Sequence, residues 1–216
     1  MYKDGHSMKL QDVKNIIGDP VAILDIGAHT GQFYSWAKDV WPTSVIWMIE
    51  ANEVHESTLQ NVIKDSDDSY VIATLGDTER DVKFYTRSDK PQTEGASYYK
   101  ESNYWDIPHL VKEIPKTLQT IDDLFDTDSE FQLVKLDTQG SELDILRGGV
   151  NLCKKAKAII LEVSYVEYNE GAPLAEEIIN FMKEYGYSNY IEIGEHYSME
   201  PQWKDRIVQK DLCFYK

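Results

Sequence analysis

Ile23-Leu24-Asp25-Ile26-Gly27-Ala28-His29-Thr30-Gly31 decides the fold: an apolar run that reaches an acid and closes on a turn carrying two glycines. The run starts after Pro20, at Val21. A short continuous apolar stretch bounded by turn residues reads as a buried parallel strand. Gly27 and Gly31 mark places where backbone turns tightly or comes close to a ligand. Beyond them Phe33, Trp36, Ala37 and Val40 recur at helical spacing, up to Trp41-Pro42, where proline cannot continue a helix. Strand, glycine loop and helix follow in that order.

The next apolar run, Val45-Ile46-Trp47-Met48-Ile49, ends on Glu50, 25 positions after Asp25. An acid at roughly that offset (about 20 residues) accepts both hydroxyls of a ribose. A carboxylate suits the task because it only accepts, and its two oxygens match two neighbouring donors. The pair describes a nucleoside crevice. A dinucleotide site needs G-x-G-x-x-G, whose second glycine lets the backbone touch the pyrophosphate, but Ala28-His29 fill that region and Asp25 adds negative charge. S-adenosylmethionine has no phosphate; its sulfonium and ammonium are attracted by acids at strand ends. The methyl donor is therefore favoured. An NAD-dependent oxidoreductase is the rival, a catalytically silent nucleoside-binding domain is a second, and a plain tight turn would need no ligand.

Outward from this unit, residues 7–17 carry Leu10, Val13, Ile16 and Ile17 on one face and stop at Gly18-Asp19-Pro20, which predicts a leader helix within residues 1–19, packed on the sheet as a lid or brace. Residues 52–64 predict a second crossover helix, 70–75 a third strand closed by Gly76-Asp77, and 81–85 a short antiparallel strand. Residues 87–114 are polar and aromatic, with Tyr98, Tyr99, Tyr104 and Trp105 among serines and charges. This stretch reads as an insert near the site, or as a surface loop with packed aromatics. Regularity returns with a fourth strand over 132–137, a helix over 141–147 ending at Gly148-Gly149, and a fifth strand over 158–163. Pro173 opens a helix that Gly186 terminates in the left-handed conformation, and residues 190–193 and 208–215 form an antiparallel pair. The prediction is one α/β domain over 1–216: a doubly wound, mostly parallel sheet with an antiparallel C-terminal strand pair. Asp25, Glu50, Asp77, Asp137 and Glu162 lie at or just after strand ends, where such sheets bind ligands. Carboxylates gathered on one edge are costly unless they meet donors or cations.

The chain's 216 residues suffice for one full core. Its 38 acidic against 22 basic residues give a net charge of −16, which disfavours nucleic acid and anionic membranes as partners. Local clusters at 65–68, 122–123 and 176–177 read as solvated surface. Cys153 and Cys213 are too few and too far apart for a disulfide scaffold or thiolate metal site, which fits a cytoplasmic location. Residues 1–10 lack the apolar core of a signal peptide, and no run approaches the ~20 residues of a membrane span. The sequence leaves the oligomeric state open, a homodimer included.

With these residues in hand, the chain resembles the FkbM family of S-adenosylmethionine-dependent O-methyltransferases over roughly residues 20–190. The stretch Ile23 to Gly31 is similar to the family's L-D-I-G-A-N-x-G opening, Ile49-Glu50-Ala51-Asn52 to its E-P-N turn, and Leu75-Gly76-Asp77 to the end of its third strand. The longest match, Leu133-Val134-Lys135-Leu136-Asp137-Thr138-Gln139-Gly140-Ser141-Glu142-Leu143-Asp144-Ile145-Leu146-Arg147-Gly148-Gly149, resembles the signature K-I-D-V-Q-G-x-E-x-x-V-L-x-G. Gly95-Ala96-Ser97 resembles a small-residue turn near the cofactor, and residues 117–124 the T-L-D-D-L lead-in. His29 replaces the usual asparagine and Ala51 the usual proline; apart from Gly95-Ala96-Ser97, the insert at 87–114 does not align with the family's motifs.

The resemblance implies a Rossmann-like class I methyltransferase fold and S-adenosylmethionine as cofactor. By it, and by position, Asp25, Gly27, Ala28, His29 and Gly31 hold the methionine end. Glu50 holds the ribose and Gly76-Asp77 the adenine, with Ala51, Asn52 and Ser97 also against the cofactor. Asp137 lies at the transfer point, as general base or as an orienting group. Lys135 neutralises the carboxylate cluster from within its strand, and Glu142 is a catalytic candidate or a first-turn acid balancing its helix. His6, His55, His109 and His196 show no metal-ligand spacing, so no metal is expected. The acceptor is a hydroxyl of a sugar, glycan or other small molecule; a sugar fits the aromatic insert, since flat rings pack on apolar sugar faces.

Overall fold

Runs as apolar as residues 21–26 and 45–49 belong on strands covered on both faces, and the computed structural model, which describes residues 6–102, 107–197 and 203–216, places them there. β1 (Ala22–Ile26) lies parallel to β2 (Val45–Glu50), with Ala22 opposite Val45 and Ile26 opposite Ile49. Ile23 packs into one layer with Ile46, Met48 and Leu133. Leu24 and Ile26 pack into the other with Ile49, Val134 and Leu136. The main sheet has the order β3-β2-β1-β7-β8-β10-β9, in which β3 (Ser69–Ile72), β7 (Leu133–Leu136) and β8 (Ala158–Ser164) continue the parallel set. β10 (Ile207–Tyr215) enters antiparallel between β8 and β9 (Asn189–Tyr197). The doubly wound, mostly parallel sheet with an antiparallel C-terminal pair is the one expected. Its order reverses between β1 and β7, which opens a crevice beyond their carboxyl ends.

α1 (His6–Ile17) and α2 (Gln32–Val40) cover one layer: Leu10, Val13 and Ile17 bury against Phe33, Ala37 and Trp41. Ile16, expected on the same face, is exposed, because one stripe of a helix is all the sheet can cover. The crossover helix expected over 52–64 is shorter. Asn52 Oδ1 accepts Val54 N at 3.4 Å, a 3-10 turn spans Glu53–His55, and α3 occupies Glu56–Val62. The opposite layer holds α4 (Ile121–Leu124), α5 (Glu142–Gly148), α6 (Val150–Cys153) and α7 (Ala175–Tyr185), with Gly186 at φ 107 as the expected cap.

The third strand departs from expectation. The run over 70–75 divides at Ala73, whose N–H bonds Glu50 O at 3.0 Å. β4 (Thr74–Leu75) then leaves the main sheet and joins a second, three-stranded sheet in the order β4-β6-β5. β5 (Arg80–Arg87) was expected in shorter form; its partner β6 (Val111–Gln119) was not, because Pro115 interrupts the run. Pro115 is tolerated because β4 reaches only Leu118 and Gln119, so β6 has an open edge where the missing N–H would point. Gly148 and Gly149 do not end their helix through a left-handed residue. A Cβ on Gly148 would lie 2.1 Å from Gly76 O, so the glycine serves close approach to β4.

Two acid clusters expected at the solvated surface contribute structural locks. Asp68 is buried and accepts from Tyr34 Oη (2.8 Å), Lys38 Nζ (2.8 Å) and Ile46 N (2.7 Å), which hold its carboxyl below the ordinary range against the upward push of burial. Asp122 accepts Asn151 N and Leu152 N, both at 2.9 Å, at the start of α6.

Candidate active site

A cleft of about 930 Å³ opens beyond the carboxyl ends of β1, β2, β7 and β8. At its floor the loop after β1 is held by backbone: Gly27 N and Ala28 N both donate to Ile49 O, at 2.9 and 3.1 Å. Gly27 has φ +77, and a Cβ there would stand 1.8 Å from Asp137 O, so only glycine lets the loops after β1 and β7 touch. Gly31, at φ +84, starts α2. His29 sits between them at φ 51, with Nε2 3.1 Å from Gln92 O and its ring 4.2 Å from that of His55.

Glu50 ties this loop to the next turn. Its Oε2 accepts His29 N and its Oε1 accepts Asn52 N, each at 2.7 Å. Burial drives its carboxyl up, and these two amide bonds pull it back only partly. A carboxylate has about four acceptor positions, so two remain on a group that lines the cleft.

Asp25 is fully buried behind this wall, and neither of its oxygens has a hydrogen-bond partner. Lys135 Nζ, 3.4 Å from Oδ1, is its counter-charge; Nζ also lies 3.3 Å from Asp137 Oδ2 and 3.4 Å from Gly27 O. Burial raises the Asp25 carboxyl, with Lys135 opposing. Burial would lower the Lys135 ammonium, but Asp137 and Asp25 outweigh it and hold the charge firmly in place. Asp137 responds oppositely. Against the upward push of burial, Lys135 and the Gln139 amide at 3.0 Å bring it below the ordinary range, which makes it a weak base and a good fixed acceptor.

The turn after β7 uses Gln139 at φ 55 and Gly140 at φ 103. Glu142 holds it: Oε1 accepts Thr138 N at 2.8 Å and Thr138 Oγ1 at 3.1 Å, and Oε2 accepts Gly140 N at 3.0 Å. Glu142 is therefore a brace under the cleft, with its carboxyl raised chiefly by burial. Over the loop lies part of the insert. Ser97 exchanges backbone bonds with Tyr85 and sends Oγ to Thr138 O at 3.1 Å. Tyr98 and Tyr99 both donate to Asp144 Oδ2, at 3.1 and 2.9 Å. Tyr98 reaches the cleft wall, whereas Tyr104 and Trp105 lie outside the described residues.

At the far end, polar side chains form a continuous ledge. Gln139 Nε2 bridges Asp137 Oδ1 (3.0 Å) and Glu162 Oε2 (2.8 Å); Gln209 Nε2 donates to the same Glu162 oxygen at 2.8 Å. His196 Nε2 lies 3.6 Å from Glu162 Oε1 and 3.0 Å from Asp211 Oδ2. Burial and the neighbouring Asp137, Asp211 and Glu142 drive the Glu162 carboxyl well above its ordinary value.

Of the residues expected at the site, Gly27, Ala28, His29, Glu50, Ala51, Ser97, Lys135 and Asp137 line the cleft together. Asp25, Gly31, Asn52 and Glu142 support that wall from behind. Gly76 and Asp77 stand off it, Asp77 paired with Arg80, while Ala73, Thr74 and Leu75 take the lining position. His196 and Asp211 were missed. The available signal was Asp211 itself, an acid directly before the apolar close Leu212-Cys213-Phe214 of the last strand.

The fold is that of class I methyltransferases. The chain is similar to the N-terminal domain of EvdMO1, solved in the presence of SAH and D-fucose (TM-score 0.55, 9% identity, 100% of this chain and 84% of that one). It is also similar to precorrin-6y C5,15-methyltransferase from Geobacter metallireducens GS-15 (0.50, 12%, 98% and 87%) and to human N-acetylserotonin methyltransferase in complex with SAM (0.51, 9%, 99% and 51%). No curated protein sequence matches the chain. The model of the methyltransferase FkbM domain matches residues 25–188, a span that runs from Asp25 through Glu50, Lys135, Asp137 and Glu142, and on this evidence the chain belongs to the FkbM methyltransferase family.

Proposed function

We propose that the protein is an S-adenosylmethionine-dependent O-methyltransferase acting on a hydroxyl of a sugar, glycan or other small molecule. The observation that carries this reading is Glu50: a buried carboxylate at the end of β2, locked by two backbone amides and still offering acceptor positions to the cleft. The fit to the donor is electrostatic as well. Among the described cleft-lining groups, Glu50, Asp137 and Glu162 outnumber the one mostly buried ammonium, Lys135, and Ala28-His29 stand where a dinucleotide site needs its second glycine.

When bound, the donor supplies an electrophilic methyl group on a sulfonium. The chain's residues provide alignment and dryness, the main requirements of an in-line displacement. Glu50 accepts the ribose hydroxyls, the loop from Gly27 to His29 borders the methionine end, and Ala73, Leu75 and Ser97 border the adenine. Asp137, fixed by Lys135 and Gln139, accepts the hydrogen bond of the acceptor hydroxyl, orients its oxygen toward the methyl carbon and takes up its proton as the methyl leaves sulfur and S-adenosylhomocysteine is released. Lys135 and Glu142 act through it, as positioning residues. Tyr98 offers a flat face for a sugar. The test is a labelled-methyl transfer screen over glycans and small alcohols, run with wild type and Asp137→Ala. Transfer by the wild type that Asp137→Ala slows at least ~100-fold is expected; a variant methylating at the full rate removes Asp137 from the reaction.

A further inference from the structure

Glu162 and Asp211 stand directly opposite each other across the antiparallel β8–β10 pair. Like charges in that relation repel, and these two are mostly buried, their side chains 9% and 17% exposed. Among the described residues, His196 on β9 is the only group with which either makes an ion pair. Lys135 is engaged elsewhere, by Asp25 and Asp137. Three strands thus converge one potential ligand atom each from His196, Glu162 and Asp211, all within 4.8 Å of one another, on the wall of the cleft.

The backbone is adapted to this convergence. β9 and β10 shift register between Asp211 and Leu212, and position 194, facing Asp211, is glycine. A Cβ there would stand 1.9 Å from Asp211 Oδ2, so the carboxylate lies in space that every other residue would fill. Ligand bonds of about 2.0–2.2 Å place neighbouring donor atoms about 2.8–3.6 Å apart between right-angle and tetrahedral geometry; the observed 3.0 and 3.6 Å lie within that spacing. Gln139 and Gln209 fix the second oxygen of Glu162, as outer hydrogen bonds fix the carboxylates of metal sites.

We infer that Glu162, His196 and Asp211 hold a divalent cation on the acceptor side of the cleft. One imidazole with two carboxylates suits Mn²⁺, Fe²⁺ or Zn²⁺ better than Ca²⁺. Its role rests on the reading above: an acceptor hydroxyl on such an ion is oriented and loses its proton more readily. Binding of the ion itself does not depend on that reading.

The test is calorimetric titration of the chelator-treated full chain with MnCl₂, for wild type, His196→Ala and the isosteric Asp211→Asn. Saturable binding of one Mn²⁺ per chain, weakened at least ~10-fold in each variant, is expected. No binding by the wild type, or binding that either variant leaves unweakened, overturns the inference. Paramagnetic broadening of amide signals in the wild type, centred on residues 162, 196 and 211, gives the same answer without a variant; broadening centred elsewhere contradicts it. Parallel titration with S-adenosylhomocysteine separates the two ideas. A chain that binds the nucleoside but not Mn²⁺ loses only the cation site, and one that binds Mn²⁺ here but no nucleoside loses only the donor reading.

Discussion

Single atoms decide the quality of this cleft, and Gly27 is the sharpest case. Its φ of +77 and the 1.8 Å separation that a Cβ would have from Asp137 O act together. Gly27→Ala is expected to cost at least about 2 kcal/mol in urea unfolding and to weaken S-adenosylhomocysteine binding; unchanged stability would contradict the close packing of the two loops. His55 offers a pH-dependent counterpart. Burial, with His29 adding to it, pushes its imidazole down to about 4 from the ordinary 6.5, and neither ring nitrogen has a hydrogen-bond partner. The unfolded chain therefore takes up a proton that the folded chain refuses between those values. The contribution of His55 to stability is complete above pH 6.5 and is lost as pH falls toward 4. Thermal unfolding at about pH 7 and about pH 5 should show a smaller loss in His55→Phe than in wild type; equal losses would sink the assignment.

At the level of elements, the insert between β5 and β6 is anchored where it crosses the cleft. Tyr98 and Tyr99 share Asp144 Oδ2, a carboxylate also met by Arg147, and burial with that negative neighbour lifts both hydroxyls above their ordinary range. Hydrogen bonds to a charged acceptor contribute about 1.5–3 kcal/mol each. The double change Tyr98→Phe, Tyr99→Phe is expected to speed amide exchange across residues 91–101 while leaving β1 and β7 protected; exchange no faster than in wild type would show that the tyrosines do not anchor the insert. The sequence made the central strands β1, β2, β7 and β8 legible because each is largely apolar on both faces, a pattern that needs no partner to be read. It left β4 and β6 obscure for physical reasons. The run over 70–75 keeps one composition while changing sheets, and Pro115 breaks the alternation of a strand whose edge is open at that point. Glu50, Lys135 and Asp137 were readable as strand-end charges. The His196–Asp211 pair was not, since a register shift and a cross-strand neighbour bring it together and no linear spacing encodes them.

Across the whole molecule, the net charge of −16 and the cleft express one theme at two scales. Acids on the outer surface repel polyanions, whereas those on the rim of the sheet are held by amides and by Lys135. No helix among the described residues is long and apolar enough to cross a membrane. What the rim can do is hold a cationic nucleoside, with Glu50 as the fixed point. Calorimetric titration of the folded chain with S-adenosylmethionine and S-adenosylhomocysteine tests this directly, with Glu50→Gln beside it, because the amide nitrogen introduced by that change would face a backbone N–H at either His29 or Asn52. One saturable site in the wild type, weakened at least ~10-fold in the variant, is the predicted result; folded wild-type protein that binds neither compound would contradict it.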